Sequence, residues 1–183
     1  MDFTNITYLQ QGNGKQQHCY HILTAYRIMD ILKDYDPLVA GTIPIAIDVE
    51  NSDIDIICYA AEFKEFQKMI RKNFDRYKYF SDTIDTSRYV AAFEIEDLPI
   101  EIYAEAIPSR QQFAYRHMLI EYHIIQLAND DFRKQIIALK QNGYKTEPAF
   151  GKLLHLQEPY SELLTFEKMS DEEIVSIISK FEN

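Results

Sequence analysis

The sequence predicts an α+β fold in which a β-sheet is flanked by helices and the C-terminal half is helical. Two observations support this prediction. From Ser87 to Glu96 apolar and polar residues alternate, which is the period of a strand with one buried face. After Ser109 the apolar residues recur every three or four positions, which is the period of an amphipathic helix. Strands therefore belong to the first half of the chain, and helices make up the second.

Composition indicates a folded, acidic protein of 183 residues with a hydrophobic content of 46%. Its 19 basic and 29 acidic residues give a formal net charge of −10. This charge weighs against a nucleic-acid binder, because phosphates need a basic face. The two cysteines, Cys19 and Cys58, lie in apolar surroundings and do not suggest a disulfide framework. No charged start precedes a long apolar run, so we expect a cytoplasmic protein without a signal peptide or membrane span.

The first predicted helix runs from about Lys15 to Asp34, after a turn at residues 12–14. Its apolar positions recur at helical spacing and are Ile22, Tyr26, Met29 and Leu32. The helix also carries His18, Cys19 and His21, which could resemble metal ligands. We interpret these three as ordinary helix residues, because no cluster of further ligands accompanies them in the sequence.

The strands are predicted between residues 38 and 105. Residues 43–52 are expected to form a short turn or a single helical turn, because Pro44 and several β-branched residues disfavour a long helix. The turn Asp97-Leu98-Pro99 makes a hairpin plausible between the two strands it joins. The predicted elements are strand Leu38–Ala40, a strand that begins at Asp53, helix Glu62–Phe74, and strands Tyr77–Ile84, Ser87–Glu96 and Ile100–Glu105.

Helices follow to the end of the chain. Ser109 is a suitable N-cap for a helix that reaches about Ala128, and Asn142-Gly143 ends the next one. Thr146 can cap a short helix that runs to about Leu156. The last helix begins with a capping box, and the residues that it is predicted to bury are Ile174, Ile177, Ile178 and Phe181.

The candidate functional residues centre on Asp53 and Asp55. In a strand these two carboxylates share one face, while Ile54 and Ile56 share the other. Two adjacent carboxylates repel each other and favour a shared proton or a cation. Because the ligands are all oxygen atoms, Mg²⁺ or Mn²⁺ suits them better than zinc. The alternative is a half-buried strand whose polar face happens to be acidic.

A glycine and a third carboxylate extend this pattern. Gly41 allows the backbone to come close to a bound group, and the hydroxyl of Thr42 can donate to a phosphate oxygen. Glu101 has apolar neighbours on both sides, as expected for an acidic residue on a neighbouring strand. Three other glutamates compete with it for the third position; they are Glu94, Glu96 and Glu105.

Basic residues in the C-terminal half are candidates for binding phosphates. Arg110 is predicted in the first turn of a helix, where free N–H groups and the helix dipole attract anions. Arg116 and His117 follow about two turns later and could instead pair with Glu121. The remaining candidates, for which surface solvation is the alternative, are Lys140 and Lys145.

An apolar run, Gly41-Thr42, a ten-residue spacer (43–52) and an apolar-flanked D-x-D together resemble the signature of the nucleotidyltransferase superfamily with the DNA polymerase β-like core. That signature usually has Gly or Ser at the position of Thr42 and a helix after it. The runs GTIPIAIDVENSDIDI, IEIYAEAIPSRQQFAYRHMLIE and NGYKTEPAFGKLL are similar to a bacterial domain-of-unknown-function family (family 4269) of this superfamily. The similarity extends over roughly residues 38–164.

The resemblance implies a nucleotidyltransferase-like mixed β-sheet, with a core at residues 1–106 and a helical extension at residues 107–183 packed on it. It further implies transfer of a nucleoside monophosphate from a nucleoside triphosphate to an acceptor hydroxyl. Asp53, Asp55 and Glu101 would hold Mg²⁺ or Mn²⁺, and Glu101 would also accept the acceptor's proton. The residues implied in contacts with the phosphates are Gly41, Thr42 and Ser52.

The acidic balance favours a small molecule or a protein as acceptor over nucleic acid. A competing hypothesis is a catalytically inactive module that keeps the nucleotidyltransferase scaffold for ligand sensing or for binding a protein partner, as in an antitoxin-like role. The uncertain third carboxylate favours the module, whereas the retention of both aspartates favours the enzyme.

Overall fold

The fold is built around a β-sheet, seen in a computed structural model that describes residues 1–180. Its strands are β1 (Leu38–Ala40), β2 (Ile54–Tyr59), β3 (Lys78–Ile84), β4 (Arg88–Ile95) and β5 (Leu98–Glu105). Across the sheet the order is β1-β2-β5-β4-β3, so the strand that comes last in the sequence lies at the centre. β2 and β5 are parallel, and the other neighbouring pairs are antiparallel. The predicted mixed sheet is therefore confirmed.

Helices flank the sheet and make up the C-terminal half. The α-helices of residues 1–180 are α1 (Gly14–Ala25), α2 (Ile28–Leu32), α3 (Phe63–Phe74), α4 (Phe113–Leu127), α5 (Asp130–Gln141), α6 (Thr146–Leu154), α7 (Pro159–Glu162) and α8 (Asp171–Ile178). Short 3₁₀ helices occur at Thr7–Gln11, Lys33–Tyr35, Ser109–Gln111 and Leu163–Lys168. In the described chain, every helix is too short or too polar to cross a lipid bilayer.

The chain separates into two compact units. The first contains residues 1–46 and 52–115, and the second contains residues 47–51 and the chain from Arg116 onward. The sheet and α1–α3 belong to the first unit. The second unit contains α5–α8 and most of α4.

The first unit buries one face of its sheet against helices. Alternate residues of β4 and β5 are buried, which confirms the period of two seen in the sequence. The buried face packs in one core with α1, α2 and α3. Both cysteines are free thiols in this core, and burial raises the pKa of Cys19 to about 12. Burial also raises the pKa of Cys58, and a thiol that is kept protonated by burial is a poor nucleophile.

The second unit has a core of its own. The rings of Phe132 and Phe150 meet edge to face, with centroids 6.0 Å apart, and this contact joins α5 to α6. The predicted capping box between Ser170 and Glu173 opens α8. Ile174 and Ile178 of that helix are buried, as predicted, and Ile177 is partly buried. Phe181 lies outside the described residues.

The first predicted helix is interrupted. Arg27 has a φ of 54°, in the left-handed region, so the chain turns between α1 and α2. In one continuous helix Ile22 and Ile28 would lie about 120° apart around the axis. The break lets both side chains enter the core, where each is fully buried. Burial of two side chains thus outweighs the local preference for a single helix.

Ser109 does not cap α4 as predicted. It begins a separate 3₁₀ turn, and Gln112 is extended before α4 starts at Phe113. The buried amide of Gln112 donates to the backbone carbonyls of Cys58 and Ile107, at 2.8 and 2.9 Å. These bonds hold the backbone of Gln112 out of the helix, because its side chain satisfies carbonyls elsewhere in the unit.

Candidate functional site

The acidic pair lies where the loop of residues 41–53 enters the sheet. Asp53 immediately precedes β2, and Asp55 is its second residue. Both aspartates are half-buried, whereas Ile54 and Ile56 are fully buried on the opposite face. The strand alternation inferred from the sequence is thus present at this position.

Glu101 lies beside Asp55 in the sheet. The parallel register of β2 and β5 pairs Asp55 with Glu101. Paired residues of neighbouring strands have their Cα atoms about 4.8 Å apart, and in a parallel pair they point to the same face. Ile100 and Ile102 are buried on the other face, as Ile54 and Ile56 are. Two carboxylates from strands far apart in the sequence therefore share one half-buried surface.

The competing glutamates occupy other positions. Glu94 pairs with Pro99 in the sheet and forms an ion pair with Lys78 at 3.3 Å. Glu105 lies four residues beyond Glu101, about 13 Å along the strand, and accepts a hydrogen bond from the Tyr103 hydroxyl at 2.8 Å. Register therefore favours Glu101 over both as the neighbour of Asp55.

Glu96 is engaged by α1. It lies in the turn after β4 with a φ of 50°, and it accepts a hydrogen bond from the Tyr26 hydroxyl at 3.1 Å. That bond, followed by one from His18, lowers the pKa of Glu96. His21 lies 3.7 Å from the same carboxylate. His18, which is partly buried, and the exposed His21 thus lie beside Glu96, a contact that the sequence did not reveal.

Gly41 brings the backbone against the carboxylate of Asp55. Its φ of +76° lies in the left-handed region, where side chains are disfavoured. A Cβ at this position would lie 1.9 Å from Asp55 Oδ2. Next to it, the Thr42 hydroxyl donates to the Ser52 hydroxyl at 3.3 Å. Glycine is therefore required here both by the backbone and by the space that Asp55 occupies.

Gln16 supports this bend and was missed in the sequence. Its buried amide donates to the backbone carbonyls of Ile43 and Pro44, at 2.9 and 3.1 Å. The same side chain completes a capping box with Asn13 at the start of α1. The spacing Asn13-x-x-Gln16 is a visible capping signal, but the contact with the loop is a tertiary feature.

The carboxylates suit a hard divalent cation. Mg²⁺ and Mn²⁺ prefer oxygen ligands, and Asp53, Asp55 and Glu101 offer only oxygen atoms. The missing side chain of Gly41 leaves the space that the Asp55 carboxylate uses. The residues present therefore fit the ion that the sequence predicted.

The three basic candidates belong to three different elements of the fold. Arg110 is exposed in the 3₁₀ turn, and α4 begins three residues later, so its predicted place in the first turn of a helix is wrong. The charge of Arg110 interacts with Asp2. Lys140 lies in the last turn of α5, and Lys145 is the N-cap residue of α6. The phosphate contacts of these three basic residues remain predictions.

Arg116 pairs with Glu167 of the same unit. Its guanidinium donates two hydrogen bonds to Glu167, at 2.8 and 2.7 Å. This bidentate pair lowers the pKa of Glu167. Arg116 is therefore a structural residue of the second unit.

A family profile, described as domain of unknown function (DUF4269), matches residues 21–166. The chain belongs to the DUF4269 family. No curated protein sequence has significant similarity to this DUF4269 chain.

Solved structures show what the fold is similar to. The RNA terminal uridylyl transferase Cid1 matches with a TM-score of 0.58 at 12% identity, over 78% of this chain and 48% of Cid1. The structure of the GLD-2/RNP-8 complex matches with a TM-score of 0.55 at 11% identity, over 90% of this chain and 75% of the matched chain. The polymerase core of TRAMP, an RNA surveillance complex, matches with a TM-score of 0.50 at 10% identity, over 96% of this chain and 60% of the matched chain. The DUF4269 chain therefore has a nucleotidyltransferase fold and spans about half the length of Cid1.

Proposed function

We propose that this chain transfers a nucleoside monophosphate from a nucleoside triphosphate to a hydroxyl group of a small molecule or a protein. The observation that carries the proposal is the pairing of Asp55 with Glu101 in parallel strands, beside the bend at Gly41. The nucleotidyltransferase fold adds support.

Each residue has a distinct role in this proposal. The acceptor oxygen attacks the α-phosphorus, the bond to the pyrophosphate oxygen breaks, and pyrophosphate leaves. Glu101 accepts the proton of the acceptor hydroxyl. Asp53, Asp55 and Glu101 would hold Mg²⁺ or Mn²⁺, which would supply positive charge to offset the negative charge on the attacking and leaving oxygens.

The bend that precedes the acidic strand positions the triphosphate. The backbone of Gly41 and the hydroxyls of Thr42 and Ser52 contact the β- and γ-phosphates. Gln16 keeps the bend in place through its two hydrogen bonds to backbone carbonyls. A bend that is held before the substrate arrives costs less entropy on binding.

The acceptor is proposed from charge. A formal net charge of −10 disfavours long contacts with an RNA backbone. Cid1 is an RNA terminal uridylyl transferase, so the end of an RNA is the acceptor against which the proposal is tested. Small hydroxylated molecules and protein side chains can bind without a basic surface, because they carry no phosphate backbone.

Calorimetry with ATP, GTP, CTP and UTP, each with Mg²⁺, tests the proposal, together with release of pyrophosphate in the presence of candidate acceptors. We expect binding of at least one nucleotide and its loss in the double variant Asp53→Asn, Asp55→Asn. The exposed Asp75 is the matched control, and Asp75→Asn should bind as the wild type does. Equal binding by the double variant, or binding that does not depend on Mg²⁺, would overturn the proposed site.

A non-catalytic module is the second candidate. Residues 42–46 form turns where the superfamily signature is usually followed by a helix, and this departure favours it. The module would bind a nucleotide or a protein partner without releasing pyrophosphate. Nucleotide binding that depends on Mg²⁺ but yields no pyrophosphate with small-molecule, protein or RNA acceptors would favour this candidate over the enzyme.

A further inference from the structure

A second group of potential metal ligands lies within the helical unit. His117 and Glu121 are one turn apart on α4, so their side chains share a face of that helix. Glu147 lies in the first turn of α6. One ring nitrogen of His117 and one oxygen from each carboxylate all lie within 4.8 Å of one another. All three residues belong to the second unit.

Glu121 is the member of this group that most requires a ligand. It is only 4% exposed, and its Oε1 has no hydrogen-bond partner among residues 1–180. Burial raises the pKa of Glu121 well above its usual value, and the nearby Glu147 raises it further. A buried carboxylate oxygen without a donor is costly, so it favours a proton or a cation beside it.

Two cationic groups act on these side chains: Arg116 on His117 and Lys140 on Glu121. Arg116 is occupied by its bidentate pair with Glu167. Lys140 lowers the pKa of Glu121, but less than burial and Glu147 raise it. A single lysine therefore leaves the carboxylates of Glu121 and Glu147 incompletely neutralised.

The ring of His117 is held from a second side. A hydrogen bond joins it to the backbone of Tyr160, at the start of α7. Histidines that bind metals are commonly oriented by such a bond from the other ring nitrogen to a backbone carbonyl. The ring is thus buried and oriented, which limits the side-chain entropy lost when an ion binds.

We propose that His117, Glu121 and Glu147 bind a zinc ion that links α4 to α6. One imidazole and two carboxylates form a ligand set that zinc accepts, at about 2.0–2.2 Å from each ligand atom. Ligand atoms around a tetrahedral zinc ion lie about 3.3–3.6 Å apart. The three ligand atoms here lie within 4.8 Å of one another, so small side-chain movements bring them to zinc-binding distances. Mg²⁺ is a poor competitor because it avoids imidazole. Because its ligands come from both α4 and α6, a bound ion should stabilise the helical unit.

The test uses the full chain with Asp53→Asn and Asp55→Asn as background, so that the acidic strand contributes no binding. After treatment with a chelator, Zn²⁺ is titrated by calorimetry, the bound metal is measured by mass spectrometry, and the melting temperature is recorded. We expect one zinc ion per chain and a higher melting temperature with Zn²⁺ than with Mg²⁺. Because the background lacks the proposed nucleotide site, the outcome is independent of the proposed function.

Two further substitutions test the ligands in this background. Glu147→Gln, at a partly exposed position, should weaken zinc binding by at least about tenfold and leave the metal-free protein folded. Glu121→Gln should do the same, and Glu172→Gln, on the exposed side of α8, is the matched control and should bind zinc as the background does. Absence of zinc binding in the background, or zinc affinity unchanged by both Glu147→Gln and Glu121→Gln, would overturn the site and leave Lys140 as the neutralising group.

Discussion

The contact between Gly41 and Asp55 can be tested by adding a single methyl group. In Gly41→Ala the new Cβ would occupy a left-handed backbone position, which costs about 1–2 kcal/mol. It would also lie 1.9 Å from Asp55 Oδ2, so the carboxylate must leave its position. An off-rotamer side chain costs about 0.5–1.5 kcal/mol. The expected loss in the free energy of unfolding is therefore about 1.5–3.5 kcal/mol.

Gly143→Ala is the matched control for this substitution. Gly143 also has a positive φ, of +90°, but a Cβ there would meet nothing within 4 Å. The control carries the backbone cost alone, about 1–2 kcal/mol. The difference between the two variants therefore isolates the contact with Asp55.

Urea denaturation followed by circular dichroism measures both losses, and calorimetry measures nucleotide binding with Mg²⁺. We expect Gly41→Ala to be the less stable variant and to bind nucleotide weakly, while Gly143→Ala keeps full binding. Equal stability of the two variants, with nucleotide binding intact in Gly41→Ala, would refute the close contact between Gly41 and the Asp55 carboxylate. It would also remove the support that this contact gives to the proposed site.

Three further predictions concern pH, the bend and the third carboxylate. Hydrogen bonds, chiefly from Arg71, hold the pKa of Asp82 at about 2, below its usual value. The ionised Asp82 therefore contributes fully to the stability of the folded protein above about pH 4. We expect about 1–2 kcal/mol of stability to be lost as the pH falls from 4 to 2, and this slope to flatten in Asp82→Asn when urea midpoints are compared. Gln16→Ala should lower the free energy of unfolding by about 1–3 kcal/mol, because two loop carbonyls lose their donor, whereas the exposed Gln17→Ala should cost less. Glu101→Gln should slow pyrophosphate release by about 100-fold or more. Glu105→Gln should change the rate of pyrophosphate release by less than about tenfold. A larger loss of rate in Glu105→Gln than in Glu101→Gln would assign the role of third carboxylate to Glu105.

Much of the fold follows from local patterns. The period of two in β4 and β5, the Asn142-Gly143 stop and the capping box at Ser170 are each decided by neighbouring residues, and all are present. The interruption at Arg27 could not be predicted, because it depends on where the core lies. The extended backbone at Gln112 likewise depends on a carbonyl 54 residues earlier in the chain.

In the candidate site, too, some features follow from local sequence and others depend on tertiary structure. The sequence placed Asp53 and Asp55 on one strand face, because alternation is a local property. It could not choose among four glutamates, because register between distant strands is a tertiary property. The proposed metal ligands of the helical unit show the same limit. His117 and Glu121 have a visible i, i+4 spacing, but Glu147 joins them only through the packing of α6.

The central place of β5 has a consequence for how the protein is made. β1 with β2 and β3 with β4 can form as two separate antiparallel pairs, and each then exposes an edge until residues 98–105 insert between them. Exposed edges recruit strands from other chains, so we expect fragments that end before Leu98 to aggregate. During synthesis the proposed site of Asp53, Asp55 and Glu101 therefore cannot form until the residues of β5 have left the ribosome.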